Sequence, residues 1–183
     1  MTNSNNVVAP KPMASGGILV GDLTAAAPTD ATTALTGFTP LGYVGEDGLT
    51  QTTDRSTDKV KAWGGDTVKI LQTDFASTFS FTLIETLNAD VLETVFGAGN
   101  VTVAAGGAVS IAINGDELPQ RSFVFDMKDG DNRVRLYVPK GQVTSVDDVT
   151  YTDGEVSGFS VTVEAFVDEN GNNAYQYISR PAA

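Results

Sequence analysis

Any chemistry in this chain must be done without histidine or cysteine, because its 183 residues contain neither. Histidine is the commonest general base and, with cysteine, supplies most zinc ligands. Ser-His and Cys-His nucleophile pairs and ordinary zinc sites are therefore excluded. Carboxylate chemistry, Ser-Lys pairs and oxygen-ligand cations remain. Asp168-Glu169-Asn170-Gly171-Asn172 has the start of a calcium loop but lacks the full ligand spacing and the closing Glu. A polar hairpin turn explains it more simply. Asp126, Asp129 and Asp131 could gather oxygens around a cation, but Gly130 between them reads as a turn. Glu46-Asp47 and Asp147-Asp148 are adjacent acids. Hydrolysis by paired acids needs two carboxyl groups held across a cleft at a fixed separation, which neighbours in sequence do not provide. No phosphate loop, dinucleotide glycine pattern or nucleophile elbow is present. Asn100-Val101-Thr102 fits a glycosylation sequon, read as chance in a chain with no signal peptide. The expectation is a protein that is not an enzyme and takes no cofactor.

Residues suited to contact rather than catalysis are easier to find. Arg133 and Arg135 alternate onto one strand face, near Lys128 and Lys140. A nucleic-acid patch would be larger and interleaved with aromatics. The net charge of −12 suits a different use for these arginines, salt bridges to acids on a neighbouring copy. Trp63 is the only tryptophan, either a core or edge anchor or an interface hot spot. The acidity predicts long-range repulsion of nucleic acid and of anionic membrane. Its plain reading is solubility; its sharper reading is a surface past which DNA slides without sticking.

These residues need a scaffold, and the hydrophobic pattern predicts a β-rich one in a single domain. No apolar run approaches the ~20 residues of a membrane span, and the polar start has no signal-peptide character. Residues 1–16 read as a flexible arm and 17–183 as the domain. Phe75 to Glu85 is the clearest strand: Phe75, Phe79, Phe81 and Leu83 share one face and Ala76, Thr78, Ser80 and Thr82 the other. Short strands are also expected at Gly17–Leu23, Leu41–Val44, Lys59–Trp63, Thr67–Leu71, Val101–Ala105 and Ala108–Asn114. Longer ones are expected at Arg121–Lys128, Arg133–Val138, Gln142–Thr152 and Phe159–Val167. Turn signals separate them, including Gly64-Gly65-Asp66 and Pro139-Lys140-Gly141. Tyr175 to Ile178 reads as an edge strand or docking segment. Gly45 to Asp58 is polar without steady alternation, so a long exposed inter-strand loop is expected over about 45–61. One helix is expected over 88–96, capped by Asn88, striped by Val91, Leu92, Val95 and Phe96, and stopped by Gly97. This rhythm predicts a β-sandwich or barrel with one short flanking helix.

Several segments, in this order and spacing, resemble the major tail tube proteins of siphophages, especially those infecting Gram-positive bacteria. They are Pro28-Thr29-Asp30-Ala31, Leu41-Gly42-Tyr43-Val44 with Glu46-Asp47-Gly48, Arg55-Ser56-Thr57 and Lys61-Ala62-Trp63-Gly64-Gly65-Asp66. Leu71-Gln72-Thr73, Phe81-Thr82-Leu83-Ile84-Glu85, Glu117-Leu118-Pro119 and Asn170-Gly171-Asn172 with Tyr175 and Tyr177 complete the set. The resemblance implies hexameric rings whose subunits share one inner β-barrel, stacked into a hollow tail tube. Such a tube encloses the tape-measure protein and conducts DNA into the host. It implies an inter-ring loop matching Gly45 to Lys61, which makes Glu46, Asp47, Asp54, Arg55, Asp58, Lys59, Lys61 and the following Trp63 candidate contacts. Thr78, Ser80 and Thr82 become a candidate lumen face, and Arg133 and Arg135 candidate inter-subunit bridges. Implied partners are further copies, the tape-measure, tail-tip and tail-terminator proteins, and duplex DNA passing without specific binding; no membrane is involved. Synthesis in the bacterial cytoplasm and residence in the virion tail follow. The competing reading is another virion structural protein, such as a capsid decoration or head–tail completion protein. An adhesin or pilus module, or a carboxylate hydrolase, fits less of the sequence.

Overall fold

Large apolar residues alternating with small polar ones can bury only one face of a strand, so each strand needs a second layer to cover that face. A computed structural model, describing Thr2, residues 7–13 and residues 16–180, shows how this is met. Nine strands form one antiparallel sheet: β1 (Lys11–Pro12), β2 (Ile18–Gly21), β3 (Phe38–Pro40), β4 (Val44–Lys61), β5 (Thr67–Leu83), β8 (Arg121–Asp129), β9 (Asn132–Val146), β10 (Phe159–Phe166) and β11 (Tyr175–Ser179). The path runs β3-β2-β8-β9-β10-β5-β4, with β1 on β8 and β11 on β9. A small hairpin, β6 (Val101–Val103) with β7 (Val109–Ile111), stands apart from it.

The sheet doubles over on itself. Phe79 of β5 stacks on Phe125 of β8 at 5.2 Å between ring centroids, and Phe81 meets the same ring edge-on at 5.6 Å. Strands β9 and β10 lie between β5 and β8 in the path, so a flat sheet would hold those rings about 14 Å apart at ~4.8 Å per strand. Two layers therefore face each other. One holds β4, β5, β10 and the second half of β9; the other holds β3, β2, β8, β11 and the first half of β9. Phe79, Phe81, Leu83, Phe159, Val161 and Val163 meet Ile18, Val20, Phe123, Phe125, Leu136 and Val138 between them.

Strand β9 passes from one layer to the other, which explains a difference from the sequence. Pro139-Lys140-Gly141 was expected to be a turn, but the strand runs through it. Residues 133–137 pair with β11 and residues 140–146 pair with β10, so Pro139, which has no N–H to give, falls in the gap between partners. A bulge against β8 between Arg121 and Phe123 lies at the same place and bends the strand. Gly141 is required there by space. A Cβ on it would meet Phe123 Cδ2 and Val163 Cγ1 at 2.8 Å.

Helix α1 (Ala89–Phe96) follows the expected chemistry. The Asn88 side chain accepts from the Asp90 N–H at 3.0 Å, and Gly97, at φ 90°, ends the helix with its N–H on the Glu93 carbonyl. Val91, Leu92 and Val95 enter the core, and Phe96 meets Phe159 edge-on at 5.5 Å. Within the expected arm, Lys11 and Pro12 pair with Lys128 and Met127, and the Ala9 N–H donates to Asp129. Residues 1, 3–6, 14 and 15 of that arm lie outside the described residues.

Candidate assembly surfaces

The largest correction concerns residues 45–61. They were expected to be a loop, yet they form most of the 18-residue strand β4, paired along its length with the 17-residue β5. The two strands close at a tight turn in which the Ala62 N–H donates to the Asp66 carbonyl and the Gly65 N–H to the Ala62 carbonyl. Gly64 (φ 127°) and Gly65 (φ 97°) adopt backbone angles that side chains resist. Every residue from Thr50 to Asp74 is exposed. The distal part, from Thr53 out to the turn, extends about 30 Å at ~3.4 Å per residue.

Alternation along β4 divides the expected contact residues between two faces. Arg55 pairs with Phe75, Thr57 with Gln72 and Lys59 with Ile70, and these extend the side on which Leu49 and Phe81 enter the core. Lys61 follows two residues after Lys59. Arg55 lies over the Phe75 ring at 4.5 Å and donates to Gln72 Oε1 at 3.0 Å, which confirms the shared side. Asp54 pairs with Ala76, Ser56 with Asp74, Asp58 with Leu71 and Val60 with Lys69, on the opposite side. Trp63 stands fully exposed at the tip, and Val68 and Ile70 are 63% and 59% exposed. Glu46 and Asp47 lie at the other end of β4, within the bulge that separates Val44 from Leu49 in the pairing.

A second surface is the outer face of the layer β4-β5-β10-β9. Ser80 and Thr162 share a hydrogen bond at 2.9 Å, and Thr82 and Ser160 share one at 2.7 Å. Register adds Thr50 and Thr52 from β4, Glu164 opposite Thr78, and Gln142 and Ser145 from β9. Thr78, Ser80 and Thr82 thus stand within a four-strand field of hydroxyls on the side away from the core. At its margin, Asp47 and Asp147 line one cleft of about 160 Å³ with Thr50, Ser80, Thr82 and Ser160. That is below the ~300 Å³ of an ordinary ligand site. A larger cleft of about 490 Å³, with Gln51, Thr53, Arg55, Gln72, Phe75 and Asn173 in its lining, lies under the base of the hairpin.

This four-strand layer ends in open edges on both sides. Among the described residues, strand β4 pairs only with β5. Residues 142–146 of β9 pair with β10 on one side, while on the other β8 reaches no further than Gly141. Open edges of this length invite another strand.

The arginine pair separates. Arg135 is buried, so its expected role as an inter-subunit bridge does not hold. Its guanidinium donates twice to the Asp126 carboxylate, at 2.6 and 2.8 Å, and to the carbonyls of Asp30 and Thr33 at 3.0 and 2.9 Å. It pins the loop of residues 22–37 over the outer side of β8 and β9. Asp126, once a candidate cation ligand, is committed to this pair. Arg133 is half-buried on β9, paired with Lys128 and Ser179 in register. Asp30 closes its loop by accepting from the N–H and hydroxyl groups of Thr32 and Thr33, which hold its carboxyl far below the usual range. Asp168, from the expected calcium-loop fragment, accepts from the Tyr175 hydroxyl and the Asn172 and Asn170 N–H groups. These lower its carboxyl to about 2, the tyrosine contributing most. The sequence gives a signal for Asp30, since Asp-x-Thr-Thr is ordinary turn chemistry; it gives none for the Arg135–Asp126 pairing.

A family model for phage tail tube proteins matches residues 1–183. The chain belongs to the phage tail tube protein family. It is therefore a structural component of a phage tail, located in the virion tail, and a tail tube protein assembles with its own kind and with other tail parts. No curated protein sequence matches it. Among solved structures it is similar to the cryo-EM structure of the anti-feeding prophage cap, described as a tube-terminating cap. That match has 10% identity and a TM-score of 0.50, and covers 98% of this chain and 100% of that one. At that identity the likeness establishes a shared fold.

Proposed function

We propose that this chain is the major tail tube subunit of a siphophage, of the kind that infects Gram-positive hosts. Six copies close a ring, and rings stack into the hollow tube that holds the tape-measure protein and then conducts DNA. The observation that carries this reading is the layer β4-β5-β10-β9, open at both edges and hydroxyl-faced on its outer side. The layer contains an even number of antiparallel strands. Setting β4 of one copy beside residues 142–146 of β9 in the next therefore keeps every pair in the ring antiparallel. Six such layers make a barrel of 24 strands, roughly 45–50 Å across the backbone at ~4.8 Å spacing and about 40° tilt. That width leaves room for a duplex after side chains.

In this arrangement Thr78, Ser80 and Thr82 line the lumen. Hydroxyls and acids there offer a passing duplex no counterion release, so nothing rewards its sticking. The hairpin of β4 and β5 reaches out of the ring to an adjacent one, taking the part expected of the inter-ring loop. Arg133 stays available for contact between copies. Tail-tip and tail-terminator proteins meet the first and last rings.

Negative-stain electron microscopy of the purified protein, from dilute to concentrated, tests the reading. Six-fold rings or hollow tubes are expected. Monomers at every concentration, persisting after tail-tip components are added, would overturn it in favour of a capsid decoration or head–tail completion protein.

A further inference from the structure

The geometry points to one side of the hairpin as its docking side, and to the acidic body of a second copy as the surface it docks on. The inference rests on the tube reading and adds to it which side is covered, by what, and which side stays in water.

The distal hairpin, residues 53–75, makes no cover for itself. Two strands alone are marginal in water, yet Trp63, Val68 and Ile70 stand exposed along it. Charge divides by side. Arg55, Lys59 and Lys61 extend the core side with Ile70 and Phe75, and no acid shares that side within the hairpin. The opposite side carries Asp54, Asp58 and Asp74 against Lys69 alone, with Val60 and Leu71 among them, and it continues the hydroxyl field of Thr50, Thr52, Thr78 and Ser80. Residues 53–75 hold four acids and four bases, so the whole net charge of −12 belongs to the rest of the chain. A basic, partly apolar side on one copy thus complements the acidic body of another. The acidic side would be repelled by that same body. Docking by the basic side buries Ile70, brings the turn that carries Trp63 into the contact, and leaves Asp54, Asp58 and Asp74 facing water with Val60 and Leu71.

Because Trp63 is the only tryptophan, its fluorescence reports on the hairpin tip without editing the sequence. The wild-type emission should shift to the blue as the protein concentrates into pelletable assemblies. Lys59→Glu/Lys61→Glu should lose both the shift and the pellet. Asp58→Lys/Asp74→Lys, on the other side, should keep both. Far-UV circular dichroism and a thermal melt on each variant establish that the body is folded. Tubes that form in the wild type and in Lys59→Glu/Lys61→Glu alike would overturn the inference and leave the tube reading standing. So would loss of assembly in the Asp58→Lys/Asp74→Lys variant alone. A wild type that neither shifts nor pellets, with tail-tip components present, would overturn both.

Discussion

Arg135 carries more of the fold than its exposed charged neighbours. Its guanidinium satisfies Asp126 and two loop carbonyls at once, inside a layer where water does not replace a lost partner. Removing one member of a buried pair leaves the other charge uncompensated, at about 3–5 kcal/mol. Arg135→Met should therefore cost that much in urea unfolding, and Arg135→Met with Asp126→Leu should recover most of it. A single-mutant cost below about 1 kcal/mol, the level of a surface pair, would refute this account. Asp168 offers a second test. Its carboxyl is held near 2, first by the Tyr175 hydroxyl and then by the Asn172 N–H. The folded value lies below the ordinary ~3.9 of a free aspartate. The turn's contribution is therefore present above about pH 4 and is lost as pH falls through about 2. Tyr175→Phe removes the main cause, so the Asp168 carboxyl should titrate closer to ~3.9 by carbon NMR. An unchanged titration would mean that the tyrosine is a bystander.

At the scale of elements, a strand can be read from sequence only where one of its faces is buried by its own chain. Residues 75–83 and 159–166 alternate cleanly because Phe79, Phe81, Val161 and Val163 fill the core while hydroxyls face out. The helix was legible for the same reason, with its cap and stop written in Asn88 and Gly97. Residues 50–61 show no such pattern because neither side of that stretch is buried within the chain, so nothing selects large apolar residues at alternate positions. Strand β9 hid differently. Proline and glycine together signal a turn, but here proline fills a gap between pairing partners and glycine leaves space for Phe123 and Val163. The hydroxyl field was half legible: Thr78, Ser80 and Thr82 could be named, whereas their partners Thr162 and Ser160 depend on register. Gly141→Ala tests the β9 reading directly. Its methyl group would have to displace two packed side chains, so a stability loss of about 1–3 kcal/mol is expected from overpacking. Glycine-to-alanine replacement at Gly48, where a Cβ would meet nothing, should not crowd anything, although its φ of 69° still disfavours a side chain. An overpacking cost confined to Gly141, read as distorted Phe123 and Val163 methyl and ring signals by NMR, would separate the two causes.

For the whole molecule the open edges decide the architecture. A layer with two free edges can be finished by a closed ring, by an open filament or by aggregation. The hydroxyl face and the even strand number both fit closure, because the next copy's β9 continues the antiparallel order after β4. The absence of cysteine makes this testable with little background. Cysteines that face each other across antiparallel strands lie within disulfide reach, about 4.4–6.8 Å between Cα atoms. Ser145→Cys can be combined in turn with Thr50→Cys, Thr52→Cys or Asp54→Cys, covering the registers β4 can take against residues 142–146. None of these pairs lies on adjacent strands within one chain, since β5 and β10 separate β4 from β9. Oxidation of assembled protein should therefore produce a covalent ladder in one register, ending at a six-chain closed band on a non-reducing denaturing gel. A ladder continuing past six would mean an open filament joined through the same edges. No ladder in any register, from protein that forms tubes under the microscope, would move the ring contact to another surface and leave β4 as a true outer edge.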